Sequence, residues 1–128
     1  MLVLALDTAT TDLVAGLAEV PDPASPNSCE VIAESVTATR AHNELLVPTV
    51  TQLLQGAGRA FADIDAIVVG CGPGPFTGLR VGMATASAFG QALGVPVHGV
   101  VTHDAVAALL DAPSALVVTD ARRREVYW

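Results

Sequence analysis

The run Gly70-Cys-Gly-Pro-Gly-Pro-Phe-Thr-Gly-Leu-Arg-Val-Gly82 is the first candidate for chemistry. It follows one apolar stretch and opens another, the setting of strand-to-helix turns that cradle phosphates. Two further turns carry suitable residue types: Asp7-Thr-Ala-Thr-Thr-Asp12 and Asp120-Ala-Arg-Arg-Arg-Glu125. In such turns backbone N–H groups and threonine hydroxyls can face phosphate oxygens, and glycine lets the backbone come close. Ala9 stands where glycine would serve the first turn, and the second turn has no glycine. Neither G-x-x-x-x-G-K-[ST] nor G-x-G-x-x-G occurs. One reading is a vestigial nucleotide or anion site at Asp7, Thr8, Thr10, Gly72 and Gly74. The other is a polar turn closed by its own Asx-type bonds.

Metal chemistry finds less. Two histidines one helical turn apart would put both imidazoles on one face. His42 has Leu46 at the second position, and His98 and His103 fall on different elements. No catalytic metal or cofactor is therefore expected. Nucleophilic catalysis is no better served. Ser87 is not on a G-x-S-x-G elbow. Cys71, at a strand end near a helix start, has no base beside it in sequence and reads as a packed thiol. The expectation is a chain with no catalytic residues of its own.

Composition agrees. The chain has 128 residues, 52% of them hydrophobic and 15% charged, enough for one domain with a real core. Its formal net charge is −7, which repels phosphate backbones. All six basic residues are arginine, so a P-loop lysine and a Schiff-base lysine are excluded. Cys29 and Cys71 are too few for a disulfide framework and read as reduced, buried thiols. The N-terminal segment lacks a basic n-region, and Asp7 interrupts its apolar run. The uncharged stretch from Val81 to Thr102 carries Thr85, Ser87, Gln91 and a Gly-Val-Pro break, so it reads as a buried helix and a strand rather than a membrane span. A cytoplasmic protein without membrane contact is expected.

The elements that position these residues follow from periodicity. Residues 2–6 and 13–20 form a hairpin of apolar strands, and a loop with three prolines spans 21–28. A third strand covers 29–37. A helix follows, with Leu45, Leu46, Val50, Leu53, Leu54 and Ala57 on one face, Asn43 as N-cap, and Gly56 or Gly58 as the stop. Pro48 lies near its first turn. Strand 66–69, helix 77–93, strand 95–100 and helix 102–110 complete the lobe, the last capped by Thr102. Strands at 115–119 and 126–128 flank the arginine turn. Helical crossovers make the later strands parallel to the first.

Two helix faces point to a partner. Gly78, Gly82, Ala86 and Gly90 recur every four residues and leave a stripe with little side-chain bulk, along which another backbone could lie. Packing against the chain's own sheet explains the stripe equally well. Arg80 either bridges to a carboxylate across an interface or reaches water. The first helix carries no charge from Leu45 to Gly58, and Val47, Thr49 and Gln52 flank its core face. The expected interface is Leu45, Val47, Thr49, Gln52, Gly78, Arg80, Gly82, Ala86 and Gly90. Arg122, Arg123 and Arg124 read either as a solvated hairpin tip or as a contact for tRNA or an acidic partner.

With these pieces in place, the chain resembles the TsaB (YeaZ) family. The resemblance rests on the segments LALDTAT (4–10), HNELLVPTV (42–50), GPGPFTGLRVG (72–82) and DARRREVYW (120–128). It departs at Pro75, where the family commonly has serine. The resemblance implies an α/β lobe of the actin/Hsp70/hexokinase type on a ribonuclease H-like, mixed five-stranded sheet of order 3-2-1-4-5, with helices on both faces. It implies that residues 1–112 form this lobe and 113–128 the first hairpin of a second, incomplete one. It implies a non-catalytic scaffold in threonylcarbamoyladenosine formation on tRNA, paired with a TsaD-like transferase or with itself, and joined by a TsaE-like ATPase. On that view tRNA is met only through the complex. The alternative on the same fold is an ATP-binding phosphotransferase or ATPase.

Overall fold

A computed structural model describes residues 1–21, 24, 25 and 29–128. Strands β1 (Leu2–Asp7) and β2 (Asp12–Glu19) form an antiparallel hairpin, and β3 (Glu30–Ala38) pairs antiparallel with β2. Strands β4 (Ala66–Gly70) and β5 (Val97–Val100) add in parallel on the other side of β1. The sheet order is β3-β2-β1-β4-β5, as expected. The three-proline loop falls mostly on residues outside the described ones.

Alternation decides the core. Leu2, Leu4 and Leu6 of β1 and Leu13, Ala15 and Leu17 of β2 are buried, while their sequence neighbours are only half-buried. Helices α1 (His42–Gly56) and α2 (Phe76–Leu93) cover that leucine face. From α1 come Leu46, Val50 and Leu54, and from α2 Ala86. The short helix α3 (Thr102–Ala107) lies toward the opposite face. There Ala5, Val14, Val31, Val68 and Val100 line an apolar hollow of about 270 Å³. Strands β6 (Thr119–Arg122) and β7 (Glu125–Tyr127) form a separate two-stranded sheet.

Several local expectations need correction. Helix α1 starts at His42 with Ala41, not Asn43, at the N-cap, and Thr39 Oγ1 accepts the Ala41 N–H at 2.9 Å. Pro48 lies inside α1, past its first turn. Val101, not Thr102, is the N-cap of α3, because the Thr102 hydroxyl has another partner. The strand expected at 115–119 forms instead at Thr119–Arg122, taking in half of the arginine turn. Cys29 and Cys71 are exposed, one just ahead of edge strand β3 and the other just past the end of β4.

Candidate functional site

The β1–β2 turn and the glycine-rich run meet at the carboxyl end of the sheet. Asp7 Oδ1 accepts the Ala9 N–H at 2.7 Å, closing an Asx turn. Asp7 Oδ2 accepts the Thr102 hydroxyl at 2.8 Å. Thr102 Oγ1 accepts the Gly72 N–H at 3.1 Å, and its own N–H donates to the Gly72 carbonyl at 2.7 Å. Buried Thr8 donates its hydroxyl to the Gly78 carbonyl at 2.7 Å and accepts the Gly82 N–H at 3.1 Å. Those two backbone groups are four residues apart, the spacing of an α-helical hydrogen bond, so Thr8 ties the β1–β2 turn to the first turns of α2.

This junction explains the glycines. A Cβ at Gly70 would lie 2.0 Å from Asp7 Oδ2, and one at Gly74 would lie 1.9 Å from the Ala9 carbonyl oxygen. At Gly78 and Gly82 it would meet the Thr8 carbonyl and hydroxyl at 2.5 and 2.4 Å. Gly72 has φ +87°, a conformation that side chains disfavour. Thr10 is half-buried, and its hydroxyl accepts the Asp12 N–H at 3.1 Å. The structure thus brings Asp7, Thr8, Gly72 and Gly74 together, with Asp7 and Gly72 both bonded to Thr102 and Thr8 bonded to the α2 backbone.

The expected interface divides. Gly82, Ala86 and Gly90 are buried, Gly90 against Val97, so the small-residue stripe is turned inward, toward the turn and β5. Gly78 is half-buried on Thr8. These positions are withdrawn as docking surface, since spacing reveals a narrow face but not its direction. The remaining residues face outward: Leu45, Val47, Gln52 and Arg80 are exposed and Thr49 is half-buried. Exposure reaches 38% at Leu45, 45% at Val47, 73% at Phe76 and 44% at Met83. Phe76 and Met83 escaped the sequence reading. They stand seven residues apart on α2, a spacing that marks one helix face. The Arg80 guanidinium sits 5.3 Å from the centre of the Phe76 ring, close enough for a cation–π contact.

The histidines lie apart. His42 is buried at the start of α1, His98 is exposed on β5, and buried His103 places Nε2 3.0 Å from Thr119 Oγ1. Among the described residues no three His, Cys, Asp or Glu side chains converge. Nor is any helix among them long and apolar enough to cross a membrane.

Comparison with known proteins places this arrangement. Residues 30–128 match the family model TsaD, tRNA N6-adenosine threonylcarbamoyltransferase. An uncharacterized protein of Mycobacterium tuberculosis is 54% identical over 98% of this chain and 57% of its own length. The Escherichia coli tRNA threonylcarbamoyladenosine biosynthesis protein TsaB is 34% identical over 100% of this chain and 54% of its own. The crystal structure of a protein with similarity to peptidase YeaZ from Pseudomonas aeruginosa superposes with a TM-score of 0.81 at 31% identity. That match covers 99% of this chain and 57% of the solved one. The chain therefore spans little more than half the length of these relatives.

Proposed function

The chain belongs to the TsaD threonylcarbamoyltransferase family, in its TsaB/YeaZ group, and on that premise we propose that it is a docking subunit of the enzyme that makes threonylcarbamoyladenosine on tRNA. It contributes a surface rather than reacting groups. The observation that carries this reading is the exposed apolar set on α1 and α2: Leu45, Val47, Phe76 and Met83, with Arg80 beside Phe76. Apolar and aromatic side chains gathered with an arginine are typical of the centre of a protein–protein interface.

The partner is a TsaD-like transferase, which carries the reaction centre. A TsaE-like ATPase joins the pair, tRNA is met through the complex, and the assembly works in the cytoplasm. The Asp7–Thr8 turn supports a non-catalytic role, because Asp7 and Thr8 hold α2 and α3 in place and are not free to turn over a phosphate. This argues against a phosphotransferase on the same fold.

Reconstitution tests the reading. The full-length protein, a TsaD-like partner, a TsaE-like ATPase, tRNA and the threonylcarbamoyl donor are combined, and modified adenosine is measured. Product should require the full-length protein together with the partner. Product formed by the full-length protein without the transferase, or by the transferase equally well without it, contradicts the proposal.

A further inference from the structure

The β6–β7 hairpin turns through Arg122, Arg123 and Arg124, half of the chain's six basic residues. All three are exposed. The ion pair among the described residues joins Arg59 to Glu19, so no carboxylate there forms an ion pair with the tip. Asp120 is occupied by the backbone, its Oδ1 accepting the Arg122 N–H at 2.8 Å. Glu125 stands opposite Arg122 in the strand register, which leaves Arg123 and Arg124 unopposed. In a chain of net charge −7 the tip is an isolated positive patch.

The backbone supplies an independent signal. Arg123 and Arg124 are the two-residue connection between the strands, and Arg122 sits where the register shifts. Their φ angles are +54° and +64°, and that of Arg122 is +67°. Two-residue hairpin turns with positive φ at both positions are ordinarily filled by asparagine and glycine. A Cβ makes this region unfavourable for most other residues. Three successive positions that suit glycine or asparagine therefore hold neither. The turn itself does not call for arginine, so the side chains answer another demand. Backbone strain of this kind gathers where residues bind.

The turn also indicates the kind of partner. Successive residues in the left-handed region rotate by about 100° each, the mirror of an α-helix, so the three side chains leave the tip in different directions. One carboxylate on a protein surface can answer only one of them. A nucleic-acid backbone offers a phosphate at every nucleotide, and the guanidinium fork fits phosphate oxygens. We propose that the Arg122–Arg124 tip contacts the phosphate backbone of tRNA in the assembled complex. This rests on the docking reading above, because the rest of the chain is acidic and repels RNA until the transferase holds it. The contact is recognition only, made at the tip and not in the hollows at the hairpin's base, which of the three arginines only Arg122 borders.

The test titrates labelled tRNA with the complex of full-length protein and TsaD-like transferase over a series of salt concentrations. Arg123→Asn with Arg124→Gly removes two charges and installs the residues the turn prefers, so the hairpin should hold. This double variant should bind tRNA about tenfold more weakly. It should also lower the slope of log affinity against log salt by about 1.5, the share of two phosphate contacts. Arg123→Lys with Arg124→Lys keeps both charges and should keep the slope. Arg59→Gln removes an exposed arginine elsewhere and should leave tRNA affinity unchanged. Calorimetry of docking onto the transferase, without tRNA, should give one affinity for wild type and the tip variants. Unchanged tRNA affinity and slope in the first double variant overturn the proposal, as does an equal loss in Arg59→Gln. Weaker docking of that double variant without tRNA would mean that the tip meets an acidic surface of the transferase, and overturns it too. If wild-type protein does not dock at all, the proposed function falls and this inference falls with it.

Discussion

Thr8 packs directly against the backbone of α2. Its hydroxyl stands between the Gly82 N–H and the Gly78 carbonyl, which would otherwise bond to each other along the helix. Thr8→Ala should therefore cost only about 1 kcal/mol, since the ladder can close behind it. Gly82→Ala forces a methyl onto the Thr8 hydroxyl and should cost about 1–3 kcal/mol. The double variant should be more stable than the two losses summed, because removing the hydroxyl makes room for the methyl. Urea denaturation of the four proteins measures this coupling, and strict additivity would contradict the packing described. The four-residue spacing of the glycines was plain in the sequence. What they face was not, because the Thr8 contact joins residues 74 apart. The Thr102 hydroxyl was misread as a helix cap for the same reason: it bonds Asp7, 95 residues away.

Among the elements, α1 was legible because leucine and valine recur at helical spacing, α2 because small residues recur every four positions, and the strands because they are short apolar runs. Their ends were less so. Thr39 Oγ1 accepts the amide of Ala41, the N-cap of α1, and no side chain caps the helix's first turn. Gly56, the last residue of α1, has open space around it and an ordinary backbone angle, while Gly58 carries the left-handed turn at φ +65°. Gly56→Ala should therefore stabilise the protein by about 0.5–1 kcal/mol through helix propensity, read as a higher urea midpoint. A lower midpoint would contradict the open space around Gly56. The two helices present a buried face to the sheet and an outer one whose only charges are Glu44 and Arg80. Only the existence of the two faces was visible in the sequence; Phe76 and Met83, which dominate the exposed apolar surface of α2, were overlooked in favour of the glycines.

At the scale of the molecule, the sheet order and the family were both legible. The strands are short, regular and joined by connections of restricted handedness, and the Gly72–Gly82 run is distinctive. The outward exposure of Leu45, Val47, Gln52 and Arg80 was legible in the sequence, whereas the inward turn of Gly82, Ala86 and Gly90 was not. The central claim is that the exposed faces of α1 and α2 carry the association with a transferase. Titration calorimetry of the full-length protein against its TsaD-like partner tests it most directly. Val47→Glu with Met83→Glu puts two charges on exposed apolar positions that the fold does not need. Binding should be at least about a hundredfold weaker, since desolvating an unpaired charge costs several kcal/mol, with the urea midpoint unchanged. Wild-type affinity in that variant would contradict it.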